Sequence, residues 1–163
     1  MKALGDFLKN PYFITALCAW FLAQVLKLMK DLKEKYQTSM IMITHDLGII
    51  AETCDDVAIM YAGRIVEIGT LREIFNSTKH PYTEGLFNSL PSAIAKGSKL
   101  KPIKGLTPNP TLIYPGCVFA ERCPYATERC TQGYPEFKSF SETHKAACWR
   151  YDEPDFHIER GHN

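Results

Sequence analysis

The sequence predicts an α/β protein, a partial parallel sheet with its helices followed by a small loop-rich tail around a metal cluster. Three observations predict it. The run Ser39-Met-Ile-Met-Ile-Thr44 is nearly all apolar and reads as a strand buried on both faces, as in parallel sheets. An amphipathic helical stretch precedes it. Four of the six cysteines fall late in the chain, spaced C-x5-C-x6-C-x17-C at Cys117, Cys123, Cys130 and Cys148. Pro115, Gly116, Pro124, Gly133 and Pro135 lie among them, so the backbone there is mostly loop. Loops bury little apolar surface, and four thiolates around a metal centre would supply the missing constraint.

Each element has a local cause. Asn10-Pro11 starts a helix, with proline at its first position. Phe13 to Leu26 is apolar apart from Thr15 and Gln24. That run falls short of the ~20 residues of a membrane span and reads as a buried or partner-covered helix. Val25, Leu28, Met29 and Leu32 continue it at helical spacing, with charges opposite. After the apolar strand, Asp46 or Thr44 caps a short helix over 47–53. Val57–Tyr61 and Ile65–Ile68 form a hairpin about Ala62-Gly63-Arg64. Thr70 with Glu73 makes a capping box for a helix over 71–75. His80-Pro81-Tyr82 opens a docking helix that runs to Ser89 and is held by Tyr82, Leu86 and Phe87.

The 163 residues make one domain or one and a half, and 45% hydrophobic content suffices for a core. A net charge of +1 gives no support for a nucleic-acid or acidic-lipid partner. Residues 96–104 form a basic linker, read as a solvated face. Cys18 and Cys54 read as small packed residues.

Three fates compete for the late cysteines. Structural zinc usually shows a C-x2-C pair, which is missing here. Wider gaps suit an iron–sulfur cluster with four cysteine ligands. Two disulfides would need an oxidising compartment, and no secretory signal points to one. His144 is an alternative ligand beside Cys148. His45 and Asp46 stand where the predicted strand gives way to a loop, the position where open α/β folds bind ligands. A helix-capping role competes with that reading.

Ser39–Gly48 and Asp55–Glu67 resemble the end of the ATPase domain of ABC transporters, specifically the oligopeptide/dipeptide importer ATP-binding subunits. Lys79-His80-Pro81-Tyr82-Thr83, Gly85-Leu86 and Ser89-Leu90-Pro91 resemble that family's C-terminal signature, and Cys117–Cys148 its cluster-binding tail. The resemblance implies that His45 is the switch histidine at the nucleotide γ-phosphate. It implies a [4Fe–4S] cluster on Cys117, Cys123, Cys130 and Cys148, with zinc as the runner-up. ATP with Mg2+, transmembrane permease subunits and a second ATPase subunit would be the partners, at the cytoplasmic face of the cell membrane.

Departures from the pattern matter as much. The phosphate-binding G-x-x-x-x-G-K-[ST] loop, the signature sequence and the strand ending in Asp-Glu are missing from these residues. Catalysis by positioning fails without the positioning groups, so the chain alone is expected not to hydrolyse ATP. Thr15-Ala16-Leu17 and Ala23-Gln24-Val25-Leu26 keep the phase of the family's helix, but Cys18 replaces its loop aspartate. Residues 10–27 also weakly resemble divergent PAP2-like membrane proteins. The expected organisation is an apolar helical segment over 1–27, the ATPase end over 28–78, the cysteine region over 79–150 and a flexible tail over 151–163. The competing function is a nucleotide-independent metal- or partner-binding module.

Overall fold

A computed structural model describes residues 10–90 and 102–158; most of the basic linker lies outside them. The chain divides after Cys54 into two compact units.

The first unit is helical. Helix α1, Pro11–Tyr36, starts as the sequence predicts, with the Asn10 side chain accepting from the Tyr12 N–H and proline in the first turn. It ends at Gln37, whose φ of 51° stops the helix. Of the two expected readings, burial within the described residues is not seen. Leu17, Trp20, Phe21, Leu22 and Leu28 are all exposed, and so is Cys18. The stretch Pro11–Lys33 is long and apolar enough to cross a membrane by length and composition. Helix α2, Leu47–Thr53, is capped by Asp46, whose carboxylate accepts from Gly48 and Ile49.

The predicted parallel strand over 39–44 is corrected. Among the described residues no strand pairs with it, and Ile41 and Ile43 are 93% and 97% exposed. An apolar run becomes a buried strand only when neighbours satisfy its backbone groups and cover its faces.

The second unit holds the sheet, which is antiparallel throughout in the order β1-β2-β4-β3. Strand β1, Asp56–Tyr61, buries Val57, Ile59 and Tyr61 with period two. Ala62 and Gly63 both take positive φ, 46° and 78°, as a two-residue hairpin turn requires. Strand β2, Arg64–Thr70, returns against β1 with a bulge at Ile59/Met60. Helix α3, Leu71–Asn76, has the expected capping box, with Glu73 accepting from the Thr70 N–H and the Thr70 hydroxyl accepting from Glu73 N–H. Helix α4, Pro81–Asn88, is capped by the His80 ring, which accepts from Tyr82 N–H, and buries Phe87. The tail adds α5, Arg129–Gln132, and the strands β3, Phe137–Ser139, and β4, Lys145–Ala147. Tyr151 and Phe156 pack edge to face with ring centroids 5.1 Å apart.

The core lies where the hairpin, α3, α4 and the cysteine loops meet. Ile74, Phe87, Phe119 and Val66 are its buried apolar centre. Tyr61, Tyr82 and Phe119 form an aromatic cluster with centroids 4.5–5.4 Å apart.

Candidate metal centre

Strand β4 pairs with β2 through Glu67↔Ala146 and Ile68↔Lys145, which delivers Cys148 one residue beyond the sheet. Cys117 is fixed by its N–H donating to the Cys130 carbonyl at 2.8 Å. A Cβ on Gly116 would lie 2.3 Å from that same carbonyl oxygen, so only glycine lets the two loops approach so closely. Cys123 follows a turn of 3-10 helix, Ala120–Arg122. Arg122 ties this turn down by donating to the Tyr61 hydroxyl and to the Lys104 and Ile103 carbonyls. Cys130 sits in α5 and is buried.

All six cysteines are free thiols, so the disulfide reading has no support here. The four late thiols lie within electrostatic reach of one another in every one of their pairings. Burial pushes Cys117 up from the ordinary thiol value, Cys123 up to about 12 and Cys148 up to about 11, and the neighbouring sulfurs push the same way. Backbone hydrogen bonds oppose this. Cys117 is met by Phe119 and Ala120, Cys123 by Tyr125 and Cys148 by Arg150. The Thr127 N–H reaches Cys130 Sγ at 3.5 Å. Every sulfur is therefore met by a main-chain group as a thiolate would be.

Among the described residues no group of three or more His, Cys, Asp or Glu side chains is arranged to hold a metal ion. The donor chemistry still fits a soft, positively charged group: two buried and two half-buried thiols, backbone donors at each, and a mutual repulsion between thiolates that an added cation would relieve.

His144 is turned to Glu67. It is 2% exposed, and its Nε2 lies 2.8 Å from Glu67 Oε1. Glu67, 0% exposed, also accepts from the N–H groups of Lys79, 2.6 Å, and His80, 3.0 Å. One buried carboxylate thus joins β2, the start of α4 and the β3–β4 hairpin. Sequence reasoning missed this hub. The available signal was a lone acid within the apolar run Ile65-Val66-Glu67-Ile68. A second clasp lies beside it, where Glu73 accepts from Ser141 and Thr143 hydroxyls, 2.5 and 2.8 Å, which holds its carboxyl down at about 2.

His45 lies in the first unit, exposed, with Asp46 N–H donating to the Thr44 hydroxyl beside it.

Residues 66–130 match the family described as the oligopeptide/dipeptide transporter C-terminal region. The oligopeptide transport ATP-binding protein AppD and the dipeptide transport ATP-binding protein DppD, both of Bacillus subtilis, are each 44% identical over 85% of this chain and 42% of their own length. The oligopeptide transport ATP-binding protein OppD of Salmonella typhimurium is 41% identical over 83% of this chain and 40% of its own. The chain is thus similar to peptide-transporter ATP-binding proteins over most of its length. It spans about two fifths of the length of these relatives. The matched family region opens on Val66 and Glu67 and closes on Cys130. It therefore includes three of the four cysteines, the Glu67 hub and His80, while Cys148 and His144 lie beyond its end.

Proposed function

We propose that this chain is the C-terminal part of the ATP-binding subunit of an oligopeptide/dipeptide ABC importer, and that its tail holds a [4Fe–4S] cluster. The carrying observation is the quartet Cys117, Cys123, Cys130 and Cys148, mutually within electrostatic reach and each met by a main-chain hydrogen bond. A cluster fills the middle of its ligand set with its own iron and sulfide. It takes thiolates set wider apart than one zinc ion does. Bound there, the cluster would supply four metal–sulfur bonds in place of a hydrophobic core. Its role in this reading is structural, pinning the 117–130 loops to β4.

In the complete subunit, His45 would face the γ-phosphate and help orient the attacking water, with ATP and Mg2+ bound by parts outside these residues. The partners would be permease subunits and a second ATP-binding subunit, at the inner face of the membrane. The relatives' names support peptide transport and ATP binding. The chain by itself lacks the phosphate loop, so no hydrolysis is expected from it.

Anaerobic purification with iron, sulfide and zinc analysis tests the cluster. A broad visible band near ~400 nm with about four irons per chain is expected. A colourless protein with a single zinc would overturn it. Calorimetry with ATP tests the second part, where micromolar binding by this chain would contradict its expected inactivity.

A further inference from the structure

Cys148 leads into a turn of 3-10 helix, Trp149–Asp152, and two residues of that turn carry polar atoms that the fold leaves unanswered. The Tyr151 hydroxyl and the Arg150 Nε are buried without a hydrogen-bond partner. Among the described residues, Thr83 Oγ1 in α4 is the only other such side-chain atom. A buried donor without an acceptor is costly, so a fold rarely keeps one without a reason. Neither side chain is free to turn away. The Tyr151 ring packs on Phe140 and Phe156, with centroids 4.6 and 5.1 Å apart. Arg150 donates from Nη1 to Glu153, and its guanidinium lies 5.0 Å from the centre of the Phe156 ring.

The surroundings say which acceptor is missing. The Tyr151 hydroxyl lies within electrostatic reach of Cys148, Glu67, Glu84 and Tyr125. Glu67 already accepts from the Lys79 and His80 N–H groups and faces His144, and Glu84 accepts from the Tyr125 hydroxyl. Cys148 remains. Burial raises its pKa, and Arg150 opposes the rise with its main-chain N–H and its charge. Burial, then the Cys148 sulfur, push the Tyr151 pKa up, so its hydroxyl keeps its proton and can donate. We propose that the Tyr151 hydroxyl and the Arg150 Nε–H are hydrogen-bond donors to the cysteine site, directed at the sulfur around Cys148. The proposal rests on the cluster reading above, since thiolates joined by iron and sulfide present the negatively charged acceptor that both donors lack. Donors to cluster sulfur favour the more negative, reduced state and so raise the reduction potential.

A dithionite titration of the anaerobically purified full chain, followed by electron paramagnetic resonance, tests this. Tyr151→Phe keeps the ring packing and removes only the hydroxyl. Arg150→Lys keeps the charge and removes the Nε–H. Each variant should hold the parent's iron and sulfide, and each should lower the reduction equilibrium constant about tenfold, ~59 mV for one electron. The parent supplies a measurement that no folding defect can obscure. Exchange into D2O should remove proton couplings seen by electron–nuclear double resonance of its reduced cluster. Two results would overturn the proposal: full iron with an unmoved potential in both variants, as a bound water satisfying the donors would give, or a parent without exchangeable couplings. A parent without iron would remove the cluster reading and this one together. Full iron with an unmoved potential removes this one alone, so the two failures are told apart.

Discussion

Replacing Glu67 tests whether the tail is held by one buried carboxylate. Its oxygens accept from two main-chain N–H groups and face the His144 imidazole; Glu67, His80 and His144 are buried and Lys79 is half-buried. Glu67→Ala leaves the Lys79 and His80 N–H groups and the His144 ring without their partner. Each such donor costs about 1–3 kcal/mol, and breaking a buried pair costs about 3–5 kcal/mol in total. That is a large share of a typical stability of about 5–15 kcal/mol. Glu67→Gln keeps the volume and one acceptor but turns an NH2 towards a donor, so a loss of about 2 kcal/mol is expected. The readout is urea unfolding followed by Trp149 fluorescence in a Trp20→Phe background. Trp149 is a tail probe, since its ring N–H donates to the Gly133 carbonyl at 2.8 Å and Arg129 lies over its face. A double-mutant cycle with His144→Asn should give a coupling of about 1–3 kcal/mol. If the two losses add within about 0.5 kcal/mol, Glu67 and His144 do not act as one unit and the argument fails.

Other expectations concern acid, turns and caps. Burial holds His80 down at about 4, against 6.5 in an unfolded chain. The unfolded state therefore takes up a proton first, and stability falls between pH 6.5 and about 4 by about 3 kcal/mol. An unchanged urea midpoint from pH 7 to pH 4.5, with His80→Gln behaving like the parent, would contradict this. Glu73, held at about 2 mainly by Ser141 and then by the Thr70 backbone, stabilises the fold above its unfolded value of 4.5. That contribution is lost as pH falls from 4.5 towards 2, and Glu73→Gln should flatten this part of the pH profile. Gly116→Ala drives a methyl into the Cys130 carbonyl and Thr131 backbone, so it should cost at least 1–3 kcal/mol and lower the iron yield. Normal iron content and stability in that variant would show that the two loops have room to part. Thr70→Ala removes the α3 cap and should cost about 1 kcal/mol in the same urea assay.

What was legible in the sequence was decided by neighbours along the chain. Asn10-Pro11, Asp46, Thr70 with Glu73, and His80-Pro81 mark helix starts because a cap satisfies N–H groups two or three residues away. Ala62-Gly63 marks the hairpin because a two-residue loop needs positive φ. The four late cysteines stand out through their number and loop-rich setting. The misread elements depended on distant partners. The apolar run 39–44 has a strand's composition, but no partner supplies its hydrogen bonds among the described residues. His144 looked like a spare ligand until the fold set it against Glu67, 77 residues away.

By itself, then, the sequence determined the helix caps, the hairpin, the likeness to peptide-transporter ATP-binding subunits and the cysteine set, since each is written in short, contiguous motifs. Only the tertiary structure decided that the sheet is antiparallel, that Glu67 joins three segments, and that the apolar surface of α1 stands exposed. Those outcomes depend on which surfaces meet, and burial and hydrogen-bond satisfaction are settled between residues far apart in the chain.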